Sequence, residues 1–144
     1  MKTHLNLATT DLEKSIAFYS TLLNAKPRKA LADYALFVTD EPGLELALDL
    51  SAESPSTRGV HFGVFVETAE EVESAIARLK DRDLVSSVER QETCCYANQT
   101  KVWATDPDGR RWEVYTVHED TEDRDSEATT CCVDEPQERS CCSA

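Results

Sequence analysis

The chain has 144 residues, 40% hydrophobic and 30% charged, with a formal charge of −13; that length holds one domain around one core. The acidic balance argues against nucleic acid and anionic membrane as partners, because both reward basic patches, and no apolar run is long enough to span a bilayer. The N-terminal run MKTHLNLATTD has one lysine and no long apolar stretch, unlike a secretory signal, so a cytoplasmic location is expected.

The first element is a short strand, Thr3-His4-Leu5-Asn6-Leu7. Alternation puts Thr3, Leu5 and Leu7 on one face and His4 and Asn6 on the other. Thr10 and Glu13 have capping-box spacing, and Leu12, Ile16, Tyr19 and Leu23 form an apolar stripe, so a helix follows. Strand-like segments come next near Lys26–Ala30, Tyr34–Val38 and Leu44–Leu50, with a Glu41-Pro42-Gly43 turn. The pattern then repeats from His61. Thr68 and Glu71 repeat the capping box, and Val72, Ile76 and Leu79 repeat the stripe. Further strands are expected near Leu84–Arg90, Val102–Thr105 and Trp112–Val117, with a tight turn at Asp106-Pro107-Asp108-Gly109. The chain therefore reads as an α+β fold of two βαβββ modules, about 1–52 and 57–118. Together they would form an open eight-stranded mixed sheet around a concave metal site, with the helices outside.

Residues 119–144 hold nine acidic and two basic residues, and apart from cysteine their only apolar residues are Ala128, Val133 and Ala144. Such a segment buries too little to offset the entropy of ordering, and is expected to be a disordered tail.

The same alternation points to a site. His61 shares a face with Gly63, opposite Val60, Phe62 and Val64; Glu113 shares one with Tyr115, opposite Trp112 and Val114. His4, His61 and Glu113 would then face the concavity together. Two imidazoles and one carboxylate with open positions suit non-haem Fe(II) and can also hold Zn or Mn. A lone histidine on a solvated sheet face is ordinarily a surface residue; matched positions at the start of both modules favour ligands. His118 has no such support, and Glu45 reads as solvent-facing.

The six cysteines fall in three adjacent pairs, Cys94-Cys95, Cys131-Cys132 and Cys141-Cys142. Neighbouring Cα atoms are about 3.8 Å apart, whereas disulfides span roughly 4.4–6.8 Å, so the pairs read as thiols that act together. Cys94 and Cys95 sit in a polar segment and do not look like core. Adjacent thiolates are soft donors for trivalent arsenic or cadmium. Tyr96 and Lys101 lie close to them in sequence and are expected to line the same substrate pocket, with Lys101 favouring the thiolate form.

Paired βαβββ modules and a DPDG-x-x-WE ending resemble the vicinal oxygen chelate superfamily, which includes glyoxalase I, extradiol dioxygenases and fosfomycin- and bleomycin-resistance proteins. The longer run TCCYANQTKVWATDPDGRRWEVYTV resembles the carbon–arsenic lyases that degrade trivalent organoarsenicals, and the related cadmium-induced proteins. The resemblance implies Fe(II) on His4, His61 and Glu113, with Mn, Ni, Co, Zn or Cd as other divalent occupants. It implies arsenic on Cys94 and Cys95, and dioxygen-dependent release of inorganic arsenite from methyl or aromatic arsenites. A homodimer is compatible with it, because paired modules complete a cavity within one chain or by exchange between two. Two other readings stay open. One is a cadmium- or arsenite-binding protein without turnover. The other is a glyoxalase-like metal-dependent lyase, which gives the cysteine pair no role.

Overall fold

The structure, a computed structural model, describes residues 1–124. Its elements are β1 (Thr3–Thr9), α1 (Leu12–Leu22), β2 (Lys29–Ala30), β3 (Tyr34–Thr39), β4 (Leu44–Leu50), β5 (His61–Phe65), α2 (Ala69–Lys80), β6 (Val85–Cys94), β7 (Ala97–Thr105) and β8 (Arg111–Asp120). The eight strands divide into two four-stranded sheets, ordered β1-β4-β3-β2 and β5-β8-β7-β6. In each, the first strand pairs parallel to the last and the remaining pairs are antiparallel. The two modules thus share one topology, and β1 and β5 each form a sheet edge.

Local chemistry sets the helices. Thr68 and Glu71 close a full capping box at the start of α2. The expected Thr10–Glu13 box does not form. Asp11 caps α1 instead, its carboxylate accepting from the Lys14 amide at 3.0 Å. Thr10 is taken by a distant partner: its amide and hydroxyl both donate to Asp108, at 2.9 and 2.8 Å.

The core joins both modules. Leu12, Phe18, Tyr19 and Leu22 of α1 and Val72, Ile76 and Leu79 of α2 pack with Phe37, Leu46, Leu48, Val102 and Trp112. Each such side chain contributes about 1.5–3 kcal/mol on burial. Tyr19 meets Trp112 edge to face at 5.5 Å, across the module boundary. Arg78 of α2 donates to the carbonyls of Thr21 and Leu22, at 2.8 and 3.2 Å, satisfying the end of α1.

The Asp106–Gly109 turn fastens the modules together. Asp106 accepts from the Tyr19 hydroxyl at 2.6 Å, the Arg110 amide at 2.7 Å and the Arg110 guanidinium at 2.9 Å. Arg110 also donates to the Ala8 carbonyl. Burial, and then the Asp106 charge, push the Tyr19 hydroxyl far above the usual tyrosine range, so it stays a donor.

The last three strands run beyond their expected limits. β6 and β7 form a long hairpin reaching Cys94 and Ala97, and its polar residues are tolerated because β6 is an edge. β8 continues to Asp120, past the expected boundary at 118, because Glu119 and Asp120 pair with Asn98 and Ala97. The expected tail from residue 125 onward, with Cys131, Cys132, Cys141 and Cys142, lies outside the described residues. Among the described residues no helix is long and apolar enough to cross a membrane.

Candidate functional site

Each module places a histidine on its first strand beside a glutamate on its last. His4 of β1 has Nδ1 3.7 Å from Glu45 Oε2; His61 of β5 has Nε2 3.7 Å from Glu113 Oε1. Both imidazoles are about half exposed, with side chains 58% and 49% accessible. The two pairs stand on different sheets. Among the described residues no three His, Cys, Asp or Glu side chains stand close enough together to hold one metal ion. The structure therefore unites His61 with Glu113 but does not bring His4 to them. Glu45, read from sequence as solvent-facing, is 45% accessible and also stands beside His4. The module repeat carried that signal, because each last strand bears one carboxylate beside the opening histidine.

Gly63 is the reason Glu113 can reach across β5. A Cβ there would lie 3.2 Å from Glu113 Oε1 and 3.0 Å from the Tyr115 ring. The glycine leaves that space to the carboxylate.

Lys101 is the second partner of Glu113. Its side chain is 4% accessible, and its Nζ lies 3.0 Å from Glu113 Oε2. The contact is an ion pair rather than a directed hydrogen bond, since that buried oxygen has no hydrogen-bond partner among the described residues. Burial opposes the lysine charge, but Glu113, Cys94 and Glu89 together outweigh it and raise its pKa above the ordinary lysine value. Lys101 stays an ammonium. Its Nζ also lies 5.5 Å from the Trp103 ring centre and 6.0 Å from that of Tyr115. Trp103 in turn meets His61 edge to face at 5.3 Å and donates from Nε1 to Glu89 at 3.0 Å.

The thiols sit at the far end of this face. Alternation along β7 puts Ala97, Gln99, Lys101 and Trp103 on one side, and Cys94 stands opposite Ala97 in the ladder. Lys101 is thus about 13 Å along the strand from the thiol end and interacts electrostatically with both Cys94 and Glu113. Cys94 is buried at 1% exposure, against the expectation from its polar neighbours, because it closes the β6–β7 ladder. Cys95 is exposed, and the two sulfurs are 3.3 Å apart. Two bonds of about 2.3 Å from those sulfurs, the length of a metal–thiolate bond, meet at close to a right angle. That bite suits one pyramidal soft centre. Tyr96 is half exposed beside the pair. His118 is not idle at the strand end: its Nε2 is 2.8 Å from the Thr100 hydroxyl.

The His61–Glu113 pair offers one imidazole nitrogen and one carboxylate oxygen, donor types that suit a divalent first-row metal, while the other Glu113 oxygen is held by the Lys101 ammonium.

Comparison with known proteins agrees with this architecture. The model of the Glyoxalase/Bleomycin resistance protein/Dioxygenase superfamily matches residues 3–114. The chain is 42% identical over 143 residues to a trivalent organoarsenical cleaving enzyme of Bacillus sp. (strain MD1), covering 97% of this chain and 89% of that protein. It is 43% identical to the cadmium-induced protein CadI of Mycobacterium tuberculosis, covering 91% of this chain and 92% of the relative. The fold matches the crystal structure of a glyoxalase/bleomycin resistance protein/dioxygenase from Alicyclobacillus acidocaldarius with a TM-score of 0.68 and 20% identity, over 83% of this chain and 92% of that one. Repeated module, signature turn and sequence likeness agree: the chain belongs to the glyoxalase/bleomycin resistance protein/dioxygenase superfamily.

Proposed function

We propose that this protein cleaves the carbon–arsenic bond of trivalent organoarsenicals, methyl or aromatic, and releases inorganic arsenite. The observation that carries the reading is the thiol pair, 3.3 Å apart, on the sheet face that also carries Lys101 and Glu113. The likeness to a relative named for organoarsenical cleavage supports it. Cys94 and Cys95 exchange with the two hydroxyls of an arsenous acid, releasing two waters. Arsenic is then anchored by two bonds, and its carbon substituent has one remaining direction. That orientation turns a bimolecular encounter into a positioned reaction. Tyr96 lies against the exposed side of the bound arsenical, and Lys101, further along the same face, supplies positive charge that interacts with Cys94. His4, His61 and Glu113 would hold the metal, and bound Fe(II) would supply the redox chemistry that dioxygen requires. The overall stoichiometry closes without another reductant. Methylarsenous acid plus dioxygen equals formaldehyde plus arsenous acid; the methyl carbon loses four electrons and dioxygen takes four.

The direct test is arsenic speciation. Reduced protein loaded with Fe(II) is given methylarsenite with and without dioxygen. Arsenite is expected only with dioxygen. Tight arsenical binding without product, in protein that holds iron, would leave a sequestering role in its place. The likeness to CadI keeps that second reading in view, since a thiol pair also suits a soft cation.

The metal set is completed by a second copy in this reading. His4 lies apart from His61 and Glu113 within one chain, and β1 and β5, which carry the histidines, are both sheet edges. Pairing β1 of one copy with β5 of another would bring the three donors together. His4→Ala and Glu113→Gln should each be inactive alone. Mixed and allowed to reassort, they should recover about a quarter of wild-type activity, because half the dimers are mixed and one of their two sites is intact. No recovery from variants shown to exchange subunits would place the whole site within one chain.

A further inference from the structure

The thiol hairpin has an unusual backbone. Cys94 and Ala97 close the ladder, and the two residues between them, Cys95 and Tyr96, have φ of 57° and 66°. Two-residue hairpin turns with both central residues at positive φ are ordinarily Asn-Gly or Asp-Gly. L-residues with a Cβ resist that region, and here neither position is glycine or asparagine. Something outside the turn must hold it. The chain just beyond β8 does so. The Thr121 amide donates to the Tyr96 carbonyl at 2.8 Å, and the Tyr96 amide donates to the Arg124 carbonyl at 3.2 Å. Asp120 pairs with Ala97, the residue after the turn, and the Arg124 guanidinium lies 6.0 Å from the centre of the Tyr96 ring.

We propose that residues Thr121–Arg124 are a strap that positions the arsenic clamp. By bonding both backbone groups of Tyr96, the strap keeps Cys95 and Tyr96 at positive φ, and this backbone sets the 3.3 Å separation of the two sulfurs. Thr121 is a positioning residue: it touches the turn and not the substrate. The strap rests on the reading of Cys94 and Cys95 as the arsenical-binding pair. It adds a cause for their geometry: a clamp preorganised by chain that follows the last strand binds without the entropy of ordering its loop.

The test uses the full chain with Cys131, Cys132, Cys141 and Cys142 changed to serine, so that Cys94-Cys95 is the remaining thiol pair. The probe is phenylarsine oxide, titrated into metal-free reduced protein. Thr121→Pro removes the amide donor and is expected to weaken binding about tenfold, equivalent to about 1.4 kcal/mol. Because Tyr96 also touches the arsenical, the reference is Tyr96→Gly alone: in that background Thr121→Pro should cost little further affinity, because glycine accepts positive φ without the strap. A merely structural role for residues 121–124 would give the same tenfold loss in both backgrounds. Thr121→Pro binding as tightly as its parent overturns the strap, and so does a loss accompanied by a collapsed thermal midpoint that Tyr96→Gly leaves unrepaired. A parent that binds no phenylarsine oxide removes the clamp and the strap together, which separates failure of the functional reading from failure of this one.

Discussion

Cys95→Ser should abolish carbon–arsenic cleavage, with a loss of at least about a thousandfold, because orientation effects of this size vanish when one of two anchors is removed. The reason is softness. A serine oxygen is a hard donor and does not replace a thiolate on arsenic. Cys95 is the cleaner of the two positions to test, since it is exposed and serine costs the fold little there. Cys94→Ser should be equally inactive but also less stable, because it buries a hydroxyl where the side chain is 1% exposed. Two measurements check the prediction: arsenite release by speciation, and iron content of the same sample. Iron should load as in the parent, since the cysteines lie outside the His4, His61 and Glu113 set. Full turnover in either variant would remove the thiols from the mechanism.

Asp106→Ala should destabilise the protein by about 3–5 kcal/mol, the usual cost of breaking a buried ion pair by removing one partner. Its carboxylate has no exposed surface and serves the Tyr19 hydroxyl and both the amide and guanidinium of Arg110. Removing it strands the buried Tyr19 hydroxyl and leaves the buried Arg110 with only the Ala8 carbonyl and the longer 3.5 Å contact to Asp108. The thermal midpoint should fall by more than about 10 °C. Asp108, two residues further along the turn, links the seam to pH. Burial alone would raise its pKa, but the neighbouring Thr9 hydroxyl, the hydrogen bonds from Thr10 and the Arg110 charge outweigh this and lower it below the ordinary value of 3.8. Its contribution is therefore complete above that value and lost as pH falls through the depressed one. Acid unfolding monitored in the parent and in Asp108→Asn should converge at low pH; parallel curves throughout would assign the seam's stability elsewhere. Both substitutions test the signature turn as a fastener between modules, apart from any chemistry.

Most of the architecture is legible from local pattern. Helix stripes at Leu12–Leu22 and Ala69–Lys80, and alternating strands such as Trp112-Glu113-Val114, report their own core faces because burial acts on each element with its own period. The Thr10–Glu13 box was the exception. A capping residue is chosen by competition, and Asp108, far away in sequence, outbids Glu13 for the Thr10 groups. The β6–β7 hairpin was under-read for a related reason: an edge strand needs no apolar alternation, so its polar residues carry no periodic signal.

The candidate site divides along the same line. The sequence by itself determined that two modules repeat, that each opens with a histidine, and that Cys94 and Cys95 are neighbours, because covalent adjacency and short-range periodicity are local properties. Only the tertiary structure decided that His61 stands beside Glu113 while His4 stands beside Glu45, that Lys101 turns its ammonium to Glu113, and that residues 121–124 brace the thiol turn. Those contacts join residues remote along the chain, and they follow from how sheets, edges and turns are brought together in three dimensions, which no periodicity within one segment encodes.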